Sequence, residues 1–164
     1  MKKIYIVRHA KSSWADASLN DFDRSLNSRG QKDAPLMGKV FKKNNILPDL
    51  ILSSPASRAF KTALIISEKI GYPEKKISKE DELYHGNAKD FINIINNVGN
   101  NINTLMIFGH NPGFTNLINI LSNFDLPNLP TCACVGIEFT VDDWKAVSAG
   151  TGRVIYFEYP KKYK

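Results

Sequence analysis

The sequence lacks the features of a membrane-spanning, exported or nucleotide-cradling protein. No apolar run approaches the roughly 18 residues that a transmembrane helix requires. The basic start Met1-Lys2-Lys3 is followed by only a short apolar stretch before Arg8, which is not typical of a signal peptide. Neither a P-loop nor a G-x-G-x-x-G fingerprint is present, so no motif for cradling nucleotide phosphates is found. We therefore expect no membrane partner.

Cysteine is scarce, and its two occurrences, Cys132 and Cys134, stand two positions apart. A disulfide between them would close a very tight ring. Reduced cysteines are the rule inside the cell. The pattern favours free thiols and a cytoplasmic location.

Negative charge is also in short supply. The chain has 22 Lys and Arg residues against 16 Asp and Glu residues, a net charge of +6. Residues 1–50 hold ten basic and five acidic side chains, whereas residues 101–164 hold five of each. A basic N-terminal third favours anionic partners. The basic residues are dispersed and lack an aromatic-rich basic motif, so we expect no nucleic-acid partner.

Length and composition favour one globular domain over residues 1–164. The chain has 164 residues, of which 43% are apolar and 23% charged. A domain of this size can bury a sizeable core without a disulfide or metal staple.

Short buried runs alternate with amphipathic stretches along most of the chain, which predicts strands alternating with helices. The predicted strands cover residues 4–7, 50–52, 104–108, 135–141 and 154–159. The predicted helices cover residues 29–43, 55–70, 90–98 and 114–122. Ser54 is predicted to cap the second helix and Gly71 to end it. Residues 146–147 are predicted to extend a ribbon, and residues 160–164 to form a solvated tail.

The predicted fold is a three-layer α/β/α arrangement with a mostly parallel central sheet and antiparallel strands at its C-terminal edge. Ligands of such sheets bind outside the carboxyl ends of the strands. The residues directly after each predicted strand are therefore the candidates for chemistry.

Two arginines and two histidines follow these strands. Arg8 and His9 follow the first, Arg58 lies in the first turn of the helix after the second, and His110 follows the third. Any one of them alone would more often have a structural role. Four at one edge, beside helix N-termini, indicate an anion pocket, and the planar guanidinium groups favour a phosphoryl group.

A zinc site is the main alternative for two histidines, and the surroundings disfavour it. The predicted neighbours of His9 and His110 are arginines, which repel a cation. Cys132 and Cys134 lack the second pair that a zinc site of this kind needs. We therefore predict no metal.

Three segments together resemble the histidine phosphatase superfamily. Arg8-His9-Ala10 is similar to its R-H-G signature. Ser54-Pro55-Ala56-Ser57-Arg58-Ala59, with Thr62-Ala63, resembles the motif S-x-x-x-R-A-x-x-T-A. Gly109-His110 matches the late G-H pair. The short chain without a cap insertion, with residues 8–14 and 21–30, most resembles the SixA-type phosphohistidine phosphatases, which implies a phosphoglycerate mutase-like fold.

The resemblance implies a role for each motif residue. His9 would be the nucleophile that forms a covalent phosphohistidine. Arg8, Arg58 and His110 would bind the phosphoryl oxygens, and Arg24 is a further contact by similarity to a SixA-type arginine. No cofactor or metal is implied, because the arginines supply the positive charge.

Two positions depart from the superfamily pattern. The motif glycine is Ala10 here, which puts the loop geometry in question. The superfamily's acid has a counterpart in Glu82, but spacing does not distinguish it from Asp81 or Glu80, and Asp21 is a further candidate. His85 is either a residue of the pocket rim or an ordinary surface turn residue.

The predicted function is a metal-independent phosphatase that acts on phosphohistidine in a protein, such as a histidine phosphocarrier. Phosphohistidine has a good leaving group, so a poorly furnished acid is compatible with it. The alternatives are a phosphatase of small phosphorylated metabolites and a non-catalytic module that binds phosphoryl groups. A mutase is disfavoured because the chain looks too short to enclose its intermediate.

Overall fold

Six strands form one mixed sheet in the computed structural model, which describes residues 1–164. The strands are β1 (Lys2–Arg8), β2 (Leu50–Ser53), β3 (Ser78–Lys79), β4 (Thr104–Gly109), β5 (Cys134–Phe139) and β6 (Gly152–Glu158). Their order is β3-β2-β4-β1-β5-β6. The first four strands in this order are parallel, and β5 and β6 are antiparallel to their neighbours. The predicted sheet, antiparallel at its C-terminal edge, is confirmed.

Helices cover both faces of the sheet. They are α1 (Ser28–Lys43), α2 (Ser57–Ile70), α3 (Glu82–His85), α4 (Ala88–Asn96) and α5 (Gly113–Leu121). Within β1, Ile4 and Ile6 pack into the core under α4 and α5, whereas Tyr5 and Val7 pack under α1 and α2. A strand with apolar residues on both faces is the expected centre of a three-layer fold.

The second predicted helix begins later than expected. Ser54 does not cap it: the backbone at Ala56 is still extended, and α2 begins at Ser57. The Ser54 hydroxyl instead lies 3.2 Å from the Ala56 amide and 2.8 Å from Nε2 of His110. The end at Gly71 is as predicted, with φ of 80° at this glycine.

Helix α4, predicted over residues 90–98, starts two residues earlier, at Ala88. Asn87 and Asp90 form a reciprocal capping box, which fixes the start at Ala88. The predicted ribbon at residues 146–147 is wrong, because Trp144–Ala146 is a 3-10 helix. Its fully buried Trp144 donates a hydrogen bond from Nε1 to the Ile102 carbonyl at 2.7 Å.

The predicted solvated tail is also wrong in part. Residues Pro160–Tyr163 form a 3-10 helix whose first residue, Pro160, is buried. Lys164 Nζ lies 2.7 Å from Oδ1 of Asp33, a fully buried residue of α1. The tail is therefore anchored on α1.

Both cysteines are free, as the sequence favoured, and both are fully buried in the structure. Burial raises the pKa of both thiols well above the usual value, so neither is suited to be a nucleophile. None of the helices has the length and apolar character needed to cross a bilayer.

The parallel strands bring the predicted chemistry to one edge. The ladder pairs Arg8 with Gly109 and Ser53 with Phe108. The His9 amide then donates to the Gly109 carbonyl at 3.0 Å, and the Ser54 amide donates to the Phe108 carbonyl at 2.9 Å. The segments that leave β1, β2 and β4 are thus bound side by side.

Candidate active site

An open pocket of about 690 Å³ lies at the carboxyl ends of β1, β2 and β4. Five residues singled out from the sequence line it together: Arg8, His9, Arg24, Arg58 and His110. They come from four separate chain segments, because Arg8 and His9 are adjacent. The structure therefore brings together all the predicted phosphate-binding residues and the predicted nucleophile.

His9 is held in one tautomer. Its side chain Nδ1 lies 2.7 Å from the Ala10 carbonyl oxygen, and a carbonyl only accepts hydrogen bonds, so Nδ1 carries the proton. The lone pair is then on Nε2, which has no partner within the protein. His9 is 7% exposed.

The surroundings keep this imidazole neutral. Burial lowers the pKa of His9 to about 3, with smaller contributions in the same direction from His110, Arg58 and Arg8. These outweigh the bond to the Ala10 carbonyl, which favours the charged form. A neutral imidazole with a free Nε2 is the form in which histidine is a nucleophile.

His110 packs beside His9, with the ring centroids 5.1 Å apart. Its Nε2 lies 2.8 Å from the Ser54 hydroxyl, and its buried Nδ1 has no partner in the protein. Burial, followed by the charge of Arg58, lowers the pKa of His110 to about 4. His110 is therefore a neutral hydrogen-bonding group at physiological pH.

The carboxylate of Asp21 links two arginines of the pocket, Arg24 and Arg58. Arg58 donates from Nη2 to Asp21 Oδ2 at 2.9 Å and from Nη1 to the Asp21 carbonyl at 2.6 Å. Arg24 donates from Nη2 to Asp21 Oδ1 at 3.0 Å and from Nε to the same oxygen at 3.2 Å. The Tyr84 hydroxyl donates to Oδ2 at 2.8 Å.

This carboxylate is ionised. Partial burial alone would raise the pKa of Asp21, but the hydrogen bonds from Tyr84, Arg58 and Arg24 outweigh it and hold the pKa well below its usual range. The pKa of Tyr84 is raised by burial and by its bond to Asp21, so the phenol keeps its proton. Asp21 therefore positions cations and does not carry a proton to give away.

Arg24 is fixed from two further sides. Its Nη1 donates to the Ser12 hydroxyl at 2.8 Å. The guanidinium carbon of Arg24 lies over the Trp14 ring, 3.5 Å from the ring centroid, in a cation–π contact. The Arg24 side chain is only 8% exposed, which is unusual for an arginine in a loop.

Arg8 is held from the far side of the pocket. Its Nη1 donates to the Leu129 carbonyl at 2.9 Å, and the same carbonyl accepts from Asn111 Nδ2 at 2.9 Å. Its Nε is buried without a partner. Arg8 thus approaches the pocket with a donor still available.

Thr62, the threonine of the second motif, ties the first two motifs together. Its hydroxyl accepts from the Ala10 amide at 3.0 Å and donates to the Arg58 carbonyl at 2.7 Å. The non-glycine residues with positive φ are Asn45 and Cys132, so Ala10 lies outside the left-handed region. Alanine therefore fits this position without backbone strain.

The structure does not bring Glu82 to the pocket. Glu82 is exposed on α3 and lines, with Glu80, a separate groove between β2 and α4. Asp81 is exposed and also lies outside the pocket lining. Of the four acids considered, only Asp21 reaches the pocket, because the turn of α3 directs Tyr84 and His85 toward it instead.

Several pocket residues were given no role in the site by the sequence analysis. Ser12, Trp14 and Tyr84 act through contacts with Arg24 or Asp21, and such contacts join segments that only the fold brings together. His85 does line the pocket, with its ring centroid 4.6 Å from that of Tyr84. Ser54 is the first residue of the motif that contains Arg58, but its hydrogen bond with His110 was not predicted.

Comparison with known proteins assigns the family. A family model described as the histidine phosphatase superfamily, branch 1, matches residues 4–93. The chain belongs to the histidine phosphatase superfamily. Enzymes of this superfamily are phosphatases or mutases. An uncharacterized chloroplastic protein of Arabidopsis thaliana is 31% identical over 159 residues, which cover 92% of this chain and 72% of that one.

Solved structures of SixA proteins share the fold of this superfamily member from end to end. One, from Agrobacterium tumefaciens and assigned as a phosphohistidine phosphatase, has a TM-score of 0.82 and 27% identity, and the match covers 97% of this chain and 98% of that one. The protein histidine phosphatase SixA in complex with tungstate has a TM-score of 0.85 and 20% identity, with 99% of each chain covered. The predicted resemblance to the SixA type is confirmed.

Proposed function

We propose that this protein is a metal-independent phosphatase that removes the phosphoryl group from phosphohistidine in a partner protein, through a covalent intermediate at His9. The observation that carries the proposal is the state of His9. It is a buried, neutral imidazole whose Nε2 is free, beside the guanidinium groups of Arg8 and Arg58. That combination suits nucleophilic attack on a bound anion.

The reaction proceeds in two displacements. The Nε2 lone pair of His9 attacks phosphorus, a new N–P bond forms, and the P–N bond to the substrate imidazole breaks. The leaving imidazole takes up a proton from water. A second water then attacks phosphorus, the bond to His9 breaks, and inorganic phosphate leaves.

Arg8, Arg24, Arg58 and His110 stabilise the charge that builds on the phosphoryl oxygens in both steps. Arg24 and Arg58 share Asp21, which holds them in place before the substrate arrives. Preorganised donors of this kind need no reorganisation during the reaction. The positive charge that a metal ion could supply is thus provided by side chains.

The absence of a protonated acid favours a phosphoramidate substrate. An alkyl phosphate ester has a poor leaving group and needs a general acid. The carboxyl group in this pocket, that of Asp21, is ionised and bound to two arginines, and Glu82 lies elsewhere. The imidazole of phosphohistidine leaves without such an acid.

The shape of the pocket favours a protein substrate. The pocket is open, and no inserted domain lies over it, since the segment between β1 and α1 is a loop with the single 3-10 turn Asp21–Asp23. A phosphohistidine that projects from a protein surface can reach such a site. The likeness to SixA proteins, one bound to the phosphate-like oxyanion tungstate, supports the same class of substrate.

The test compares two kinds of substrate. We expect the protein to dephosphorylate a histidine phosphocarrier protein, and to turn over small phosphate esters far more slowly. During turnover of the radiolabelled carrier, an alkaline detergent quench should trap label on the protein, because phosphohistidine survives in alkali.

His9→Ala should lose both activity and labelling, whereas His85→Ala, at a histidine on the pocket wall, should keep the label. Turnover of esters alone would show a small-metabolite phosphatase. Binding of the phosphocarrier without turnover or label would show a non-catalytic module. Label retained in His9→Ala would reject the nucleophile.

A further inference from the structure

A second, smaller groove continues from the candidate active site. It has a volume of about 280 Å³ and shares Arg8, Lys11 and Thr131 with the active pocket. Arg29 and Lys161 extend it away from His9. The groove and the active pocket are therefore contiguous, and a molecule whose phosphoryl group occupies the pocket can also contact the groove.

The groove has a strong positive charge, which is offset only beside Arg29 by the buried Asp33. Four cationic residues line it, Arg8, Lys11, Arg29 and Lys161, and no carboxylate does. The ammonium groups of Lys11 and Lys161 have no hydrogen-bond or ion-pair partner, unlike those of Lys162 and Lys164 nearby. Free cations at one mouth create a potential that attracts anions.

Lys11 and Arg29 are fixed by the packing of α1 against the loop after β1. The Asn27 amide donates to the Lys11 carbonyl at 3.0 Å. Gly30 packs so close that an added Cβ would lie 2.2 Å from the same oxygen. Lys11 and Arg29 are therefore held next to each other by backbone contacts.

Lys161 is fixed by the docked C-terminal segment. Pro160, directly before Lys161, is buried. Lys164 pairs with Asp33, and Arg29 Nε lies 3.4 Å from the same buried carboxylate. The buried Asp33 thus gathers Arg29 and the segment that carries Lys161, so the groove has a defined shape.

We propose that this groove docks acidic side chains of the protein that carries the phosphohistidine, next to the phosphorylated residue. The inference rests on the proposed function and specifies its substrate. Carboxylates suit the groove because its two unpartnered cations, Lys11 and Lys161, are ammonium groups that attract an anion as point charges, whereas the guanidinium groups of Arg8 and Arg29 already bind Leu129 and Asp33. Exposure at the pocket mouth suits side chains presented by a protein surface.

The experiment uses two synthetic peptides that contain phosphohistidine and differ only in their flanking residues, glutamates in one and glutamines in the other. We expect the glutamate peptide to have at least a fivefold lower KM with a similar kcat. Salt at 0.5 M should reduce the difference, because it screens exposed charges. A bisphosphorylated peptide, with phosphoserine in place of a glutamate, tests whether the groove prefers phosphate.

The variants Lys161→Glu and Arg29→Gln/Lys161→Glu should remove the preference for glutamate. Turnover of free phosphohistidine, which is too short to reach the groove, should stay within twofold and shows that the variants are folded. Lys145→Glu is the matched control, since Lys145 is an exposed lysine beside Trp144, near the other end of the sheet. It should keep the preference of the unaltered protein.

The outcomes separate the two proposals. Equal KM for both peptides overturns the docking site and leaves the phosphatase assignment intact. A stronger preference for the phosphoserine peptide assigns the groove to a second phosphate and overturns the acidic partner. If no peptide is turned over, the proposed function fails. The binding of both peptides to His9→Ala, measured by fluorescence anisotropy, then tests the groove by itself: tighter binding of the glutamate peptide supports the docking site, and equal binding of both peptides rejects it.

Discussion

At the scale of single residues, Asp21 determines how the cationic side of the pocket is arranged. Its carboxylate binds Arg24, Arg58 and Tyr84 at once. Asp21→Asn keeps the shape and removes the charge. We expect kcat to fall roughly tenfold, less than the ~10²–10³ lost with a transition-state donor itself, because the arginines are still present but less well held.

The same substitution should tighten the binding of tungstate as a competitive inhibitor, since a negative charge beside the oxyanion site is lost. Asp23→Asn is the control: Asp23 lies in the same turn, and its carboxylate has no ion pair or hydrogen bond. Steady-state kinetics on the phosphocarrier with tungstate inhibition provides both values. Weaker tungstate binding in Asp21→Asn would show that its main role is structural.

The residue scale is also where sequence reasoning reached its limit. Arg8, His9 and His110 could be selected because each lies at or directly after the end of a buried strand. Glu82 was chosen by spacing alone, and spacing does not say which way a side chain on a one-turn helix points. The tautomer of His9 depends on the Ala10 carbonyl, a backbone contact that residue types do not encode.

At the scale of elements, the start of α1 supports the loop that follows β1. A Cβ at Gly30 would lie 2.2 Å from the Lys11 carbonyl oxygen, so Gly30→Ala must push backbone away from backbone. Alanine favours a helix by up to about 1 kcal/mol over glycine. We expect the clash to win, with a net loss of about 1–3 kcal/mol in the free energy of unfolding.

The displacement should also reach the pocket, because Ser12 follows Lys11 and holds Arg24 at 2.8 Å. Urea unfolding measures the free energy of unfolding, and inhibition by tungstate measures its affinity for the pocket. Both quantities should decrease. Gly99→Ala is the control, since its Cβ would meet only the Asn101 side chain in an exposed turn. If Gly30→Ala is destabilised but binds tungstate with unchanged affinity, the loop after β1 does not position the residues of the pocket.

Elements with a long apolar pattern were predicted well, and elements without one were not. The strands β1 and β4 are buried on both faces, so their sequences are uninterrupted apolar runs. Strand β3 has only two residues, both exposed, and α3 has four, which is too short for either period to show. The start of α2 was misplaced because Ser54 binds His110 instead of capping the helix.

At the scale of the whole molecule, the buried histidines link catalysis to stability. Both are neutral in the folded protein, with the pKa of His9 lowered to about 3 and that of His110 to about 4. In the unfolded chain each has a pKa of about 6.5. Below pH 6.5 the unfolded chain therefore binds protons that the folded protein does not.

The sign of the pH dependence follows from this difference. Stability falls wherever the unfolded state binds more protons as the pH drops, so the free energy of unfolding should decrease as the pH falls from about 6.5 toward 4. Each histidine contributes at most about 1.4 kcal/mol per pH unit, and both together at most about 2.7. Between pH 6 and pH 5 the carboxylates remain largely ionised, so the histidines should dominate.

Urea unfolding at pH 7, 6 and 5 measures this loss, and His9→Asn/His110→Asn is the decisive comparison. The double variant lacks both groups, so its free energy of unfolding should change less between pH 7 and pH 5 than that of the unaltered protein. An equal slope in the two proteins would mean that His9 and His110 can be protonated in the folded state. In that case burial would not keep the proposed nucleophile neutral, and the rate of phosphoenzyme formation should then decline below pH 6.5 instead of persisting to pH 5.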